Sequence, residues 1–219
     1  ESFNAVRADW NGFNVLQRAA SRVGGLDLDF LPQTAGSSTR GILSGRMEMI
    51  WLLGADEIDL APVGNAFVVY QGSHGDRGAH RADVILPGAA YTEKSGLYVN
   101  TEGRPQMGLQ AVFPPGEARE DWKIIRAFSE KIGDPLPFDT LAQLRRRMFD
   151  FAPVLAQIGH RPQAEWRAFG KPGPVSAEPF APVIENFYMT DPISRASVTM
   201  AKCTEEILPL IAGAREAAE

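Results

Sequence analysis

Ala82 to Gln106 reads ADVILPGAAYTEKSGLYVNTEGRPQ, an apolar strand that runs directly into a long polar connection. Val84, Ile85 and Leu86 form a short apolar run closed by Pro87-Gly88, the pattern of a fully covered parallel strand followed by a loop at its carboxyl end. Working outward, Met49 to Leu53 (MIWLL) reads as a second strand running into the loop Gly54-Ala55-Asp56, and Ala66 to Tyr70 (AFVVY) reads as a third. Strands that hand over to loops at their carboxyl ends are the units of an open α/β sheet, which places any ligand above that edge.

The rest of the chain reads as helices and connections. Asp9 to Val23 places Trp10, Phe13, Leu16, Ala19, Ala20 and Val23 at helical spacing, with Gly24-Gly25 expected to end the helix. Pro32 to Gly45 reads as a surface connection before a short Ile42-Leu43 element. Glu117 to Ile132 carries Trp122, Ile124, Ile125, Phe128 and Ile132 on one broad face, with acidic residues near its start, as the helix dipole favours. Asp139 to Phe151 is expected to be a second helix, capped by Asp139 and stopped before Pro153. Gly170 to Pro182, dense in proline and glycine, reads as a stiff extended linker. Asp191-Pro192 supplies a cap and first-turn proline for a last helix from about Ile193 to Leu208. The expected organisation is a partial α/β domain over 1–112, a helical extension over 113–170, and a linker with a docking helix over 171–219.

Composition narrows the function. The chain has 219 residues and a formal net charge of −5, and beyond the run Arg145, Arg146, Arg147 it has no basic stripe, so nucleic-acid binding is not expected. A single cysteine, Cys203, excludes a disulfide framework and a cysteine-held iron-sulfur cluster within these residues. It reads as a packed small residue in the last helix. No apolar stretch approaches the roughly 20 residues of a membrane span, so no direct membrane insertion is expected.

Three regions gather polar residues. Gly54 to Asp59 (GADEID) lies where α/β folds bind nucleotides, yet carries Asp56, Glu57 and Asp59, which repel a phosphate dianion. Gln71 to His80 (QGSHGDRGAH) offers His74, Asp76 and His80, but not the i, i+4 histidine pair of a helical zinc site, and reads as a hydrogen-bonded loop. Glu93, Lys94, Asn100, Glu102 and Arg104 stand in close succession. Charges gathered in a cleft can act as acid and base, but the reading adopted is a structural clasp. In it Glu93 or Glu102 pairs with Arg104 or Lys94, an arginine fork fitting a carboxylate. If that carboxylate is deeply buried, Arg104→Ala is expected to cost about 3 kcal/mol. No residue is assigned a catalytic, cofactor-binding or metal-ligating role.

The block Ala82 to Gln106 resembles the molybdopterin oxidoreductase superfamily. Its wording, with Pro114 to Lys131 (PPGEAREDWKIIRAFSEK) and Phe187 to Cys203 (FYMTDPISRASVTMAKC), is similar to the large iron-sulfur subunits of respiratory NADH:quinone oxidoreductase, complex I. The resemblance implies an open, mostly parallel Rossmann-like sheet of the molybdopterin oxidoreductase type followed by a helical carboxyl-terminal extension. It implies a structural module in the peripheral arm, in contact with other peripheral-arm subunits, on the cytoplasmic side of a bacterial inner membrane or the matrix side of a mitochondrial one. The 2Fe-2S and 4Fe-4S clusters of such subunits are expected in an amino-terminal portion outside these residues. Related molybdopterin enzymes place a neutral polar residue near the GADEID loop, and this chain departs from them there. Two rivals stay open. One is the cofactor-clasping half of a molybdopterin-dependent oxidoreductase of the formate dehydrogenase type. The other is a free-standing interaction domain, which an absence of cluster-spaced cysteines upstream of Glu1 would favour.

Overall fold

The computed structural model describes residues 6–7, 10–11, 22–163, 177, 184 and 186–210. The chain divides into two compact units, each assembled from two stretches. Glu1–Ile42 joins Gly88–Val175, and Leu43–Pro87 joins Ser176–Glu219.

The first unit begins with two paired two-residue strands, β1 (Val6–Arg7) and β2 (Trp10–Asn11). Among its described residues the α-helices are α1 (Arg22–Asp27), α2 (Thr39–Ile42), α4 (Asp121–Lys131) and α5 (Leu141–Phe151). Of the opening helix expected over Asp9 to Val23, residues 9 and 12–21 lie outside the described residues. Its two ends differ from the expectation, since Trp10 and Asn11 are extended and a helix continues through Gly24-Gly25 rather than ending there. The reason is close approach. A Cβ on Gly24 would lie 3.2 Å from Val99 Cγ2, so glycine lets α1 pack on a strand, and the turn out of the helix falls at Asp29, φ +50.

Residues 88–106, expected as one long connection, fold in part as a hairpin. Here β6 (Gly96–Val99) pairs antiparallel with β7 (Pro105–Gly108). Asn100 to Gly103 makes the turn, with Gly103 at φ +79 and its N–H donating to Asn100 O at 2.9 Å. Helix α4 starts at Asp121, later than expected. Ala118 N–H donates to Pro115 O and Gly116 takes φ +52, so the preceding residues turn instead of coiling. The α4 stripe is only half covered, with Phe128 37% and Ile132 61% exposed. The cap of α5 is Thr140, not Asp139. Thr140 Oγ1 accepts Gln143 N–H at 3.2 Å and Gln143 Oε1 accepts Thr140 N–H, a reciprocal box. Asp139 is engaged by Arg126 Nη2 at 2.8 Å.

The second unit holds a three-stranded parallel sheet, β3 (Met49–Leu53), β4 (Phe67–Gly72) and β5 (Val84–Pro87), in the order β3-β4-β5. A single 3-10 turn, Ala61–Val63, lies in the first crossover and the short α3 (Arg77–Arg81) in the second. Ile50 and Leu52 of β3 with Val68 and Tyr70 of β4 face a core completed by Val63, Ala66 and Ala79. The best-covered strand is β4, whose Val68, Val69, Tyr70 and Gln71 are all buried. Expected full cover of Val84 to Leu86 is overturned, since Val84 is 39% and Ile85 55% exposed. Among the described residues β5 pairs only with β4, and an edge strand lacks the neighbour that buries its second flank. An apolar triplet does not distinguish the two positions.

Among the described residues of the later stretch of this unit are a 3-10 turn, Phe187–Met189, then α6 (Pro192–Arg195) and α7 (Val198–Glu206). Asp191 caps α6 as expected, its Oδ1 accepting Ile193 N–H at 2.9 Å and Ser194 N–H at 3.0 Å. The single helix expected over Ile193 to Leu208 is broken in two. Ser197 accepts Met200 N–H and opens α7 afresh, the competition of a serine hydroxyl with helical continuation. Cys203 is half-buried in α7. Apart from residue 177, the linker stretch Gly170 to Pro182 lies outside the described residues.

Candidate functional site

The carboxyl ends of β3 and β4 open into two loops, Gly54 to Leu60 and Ser73 to Asp76, which bear the carboxylates noted in the sequence. They surround Tyr70. Its ring is buried, 1% exposed, and lies where two glycines make room. A Cβ on Gly72 would fall 2.3 Å from the phenol oxygen, and one on Gly78 would fall 2.8 Å from the ring and 2.9 Å from Ala55 O. The glycine richness of QGSHGDRGAH therefore accommodates a tyrosine. The phenol lies 2.8 Å from Asp56 Oδ2 and 2.8 Å from His74 O, with its hydroxyl donating. Asp56, 2% exposed, accepts Gly78 N–H at 3.0 Å on its other oxygen. Burial first, then the hydrogen bond to Asp56 and the charges of Asp56 and Asp76, push the phenol well above its ordinary 10.0, against a smaller opposing pull from Arg195.

Asp76 caps α3, accepting Arg77 N–H at 2.8 Å, and is bound by the Arg195 guanidinium of α6. Arg195 also reaches Glu57 Oε1 at 3.1 Å and donates to Met189 O at 3.3 Å. One arginine thus joins the loop after β3, the loop after β4 and the segment before α6. Partial burial works against the Asp76 anion, but the hydrogen bonds from Arg195 and from Arg77 N–H hold its carboxyl below the usual 3.8. Asp59 accepts Ala61 N–H at 3.0 Å. The His74 ring meets Ser73 Oγ at 2.9 Å, and His80 is exposed on α3. Among the described residues no group of three or more His, Cys, Asp and Glu is placed to hold a metal ion.

In the other unit, the five residues read as a clasp divide between separate contacts. Asn100 Oδ1 accepts the N–H of Glu102 and of Arg104, both at 3.0 Å, shaping the hairpin turn. Arg104 pairs with Glu102 at 3.2 Å and donates from Nη1 to Gly159 O at 2.8 Å. Lys94 is drawn to Asp121 at the start of α4, and Glu93 Oε2 accepts Ala90 N–H at 2.9 Å. The hydrogen bond from Arg104 holds Glu102 below the ordinary carboxylate range, but the Glu102 side chain is 45% exposed. The condition of deep burial attached to Arg104→Ala is not met, and the expected loss shrinks to that of a surface pair.

A pterin dinucleotide, the ligand of the rival molybdopterin-dependent reading, was not expected beside the acidic GADEID loop, and the residues at the sheet edge do not fit one. A pyrophosphate there needs free backbone N–H groups and positive charge. The N–H groups of Arg77 and Gly78 are already taken by Asp76 and Asp56, and the Arg195 guanidinium is bound to Asp76 and Glu57 through Nε and Nη1, its Nη2 being buried without a hydrogen-bond partner among the described residues. Tyr70 and Arg195, the residues that organise this edge, were missed in the sequence. Tyr70 reads as an ordinary strand residue, and Arg195 meets partners 119 and 138 positions away. Gly72 and Gly78, both downstream of Tyr70, are the local signal of the room its ring takes.

The profile of the molybdopterin oxidoreductase family matches residues 1–131. A second profile, that of the C-terminal region of an NADH-ubiquinone oxidoreductase subunit, matches residues 156–203. The chain is 50% identical over 210 residues to the mitochondrial NADH-ubiquinone oxidoreductase 78 kDa subunit of Neurospora crassa, covering 92% of this chain and 28% of that protein. It is 49% identical to the mitochondrial NADH dehydrogenase [ubiquinone] iron-sulfur protein 1 of Solanum tuberosum, covering 92% of this chain and 27% of that protein. It is 44% identical to a bacterial relative, an NADH-quinone oxidoreductase subunit of Rickettsia bellii, covering 94% of this chain and 29% of that protein. The chain therefore spans little more than a quarter of the length of these relatives.

Proposed function

The chain belongs to the molybdopterin oxidoreductase family, and from that premise we propose that it is the carboxyl-terminal structural module of the large iron-sulfur subunit of NADH:quinone oxidoreductase. The observation that carries this reading is the second profile match, over residues 156–203, which lies beyond the family domain and is drawn from that one enzyme. In this reading the module supports electron transfer from NADH to quinone by holding shape, and it contributes no catalytic residue. The 2Fe-2S and 4Fe-4S clusters belong to the amino-terminal part of the subunit, since one cysteine cannot supply the thiolates they require.

The three parallel strands form part of a larger Rossmann-like sheet, in a partial α/β domain over residues 1–112, with 113–170 as a helical extension and 171–219 as a linker and docking segment. Glu93, Lys94, Asn100, Glu102 and Arg104 fasten the hairpin and α4 as a structural clasp. The module lies in the peripheral arm against other subunits of that arm, on the cytoplasmic face of a bacterial inner membrane or the matrix face of a mitochondrial one. No helix of the described residues is long and apolar enough to cross a membrane.

Metal and pterin analysis of the full-length protein tests the reading. Iron and acid-labile sulfide without pterin is the expected result. Stoichiometric molybdenum or tungsten with pterin would replace it with a molybdopterin-dependent oxidoreductase of the formate dehydrogenase type.

A further inference from the structure

We propose that the segment carrying α6 is a built-in plug, with Arg195 occupying the crevice above the carboxyl ends of β3 and β4 and holding it closed on both strand-end loops. The crevice is self-ligated in three layers. The N–H groups of Arg77 and Gly78, which an α/β sheet offers to an anion at this edge, are saturated by the chain's own carboxylates, Asp76 and Asp56. Those carboxylates are in turn satisfied by the Tyr70 hydroxyl on Asp56 and the Arg195 guanidinium on Asp76. Glu57, from the loop after β3, takes the second arm of the same guanidinium at 3.1 Å. The chain thus supplies both the anions and the cation that a bound phosphate and its counter-charge would otherwise provide.

The plug is presented rigidly. Asp191 accepts two backbone N–H groups and the Ser194 hydroxyl, fixing the single turn that bears Arg195. Met189 O binds the guanidinium from the preceding 3-10 turn, and Asn186 Nδ2 donates to Thr204 Oγ1 at 3.1 Å, tying that turn to α7. Two elements remote in sequence therefore open together or not at all, which makes a cooperative local unit. This inference goes beyond the assembly role proposed above by naming what fills the family's ligand edge. Metal analysis tests the role, and the following experiment tests the plug.

Amide hydrogen exchange is measured on the full chain and its variants. Arg195→Ala is expected to speed exchange about tenfold in segments 54–60, 73–81 and 186–206 together, leaving the hairpin 96–108 unchanged. Should that variant fail to fold, Glu57→Gln serves, because the Glu57 side chain is 64% exposed. It is expected to speed the same three segments about twofold, together and not one by one. Release of 186–206 alone, with the strand-end loops at wild-type rates, would overturn the proposal. So would wild-type rates in Glu57→Gln, or protection of segments 54–60 and 73–81 in the wild type by inorganic pyrophosphate.

Discussion

Tyr70 and Tyr98 use one packing device in two settings. Each ring lies over a pair of glycines, Gly72 and Gly78 for Tyr70, Gly96 and Gly108 for Tyr98. Tyr70 is 1% exposed and its hydroxyl enters a buried network with Asp56, whereas Tyr98 is 39% exposed on a hairpin. The same contrast separates the charges of the two regions. Asp56 is buried and bonded on both oxygens, while Glu102 pairs with Arg104 in solvent. Burial, more than the density of charged residues in the sequence, decides which polar contacts hold the protein together, because an unsatisfied group in the interior has no water to turn to.

The largest effect is expected from adding one carbon beneath Tyr70. Gly78→Ala should destabilise by about 3 kcal/mol in urea unfolding, because its Cβ meets the backbone oxygen of Ala55 as well as the ring. Tyr70→Phe comes next. It leaves Asp56 Oδ2 and His74 O without the hydroxyl and should cost about 2 kcal/mol. The same variant carries a pH signature. The folded state holds the phenol proton more tightly than the unfolded chain, so its stabilisation is complete below about pH 10 and is lost as pH rises through the higher folded-state value. The alkaline fall in wild-type stability above pH 10 should therefore flatten in Tyr70→Phe.

The hairpin counterpart should be milder. Gly108→Ala is expected to cost about 1 kcal/mol, since a half-exposed Tyr98 ring can swing aside. A cost equal to that of Gly78→Ala would erase the contrast between the two sites. Arg104→Ala sits at the bottom, with a thermal midpoint within about 2 °C of wild type.

Much of the second unit was legible. The strands Met49 to Leu53 and Ala66 to Tyr70 announced themselves as apolar runs ending in Gly-rich loops, and Asp191-Pro192 announced a helix start by cap chemistry alone. The hairpin, too, has a local signal, Asn100 to Gly103 between Leu97-Tyr98-Val99 and Pro105, which the surrounding charged residues obscure. So has the start of α5, where Thr140 and Gln143 have the spacing of a capping box that Asp139 lacks.

Other features had no local signal. Which strand lies at the centre of the sheet depends on pairing, and VIL at the edge looks no different from VVY in the middle. Composition by itself excluded an internal disulfide, and local pattern by itself set the α/β class and the acidic character of the sheet edge. That Arg195 closes this edge, that Lys94 turns to Asp121 rather than to its neighbours, and that Tyr70 becomes the buried centre of the loops were decided only by tertiary structure. Each joins residues many positions apart, and the free energy of such a contact depends on the burial and geometry that folding creates, which no short window of sequence contains.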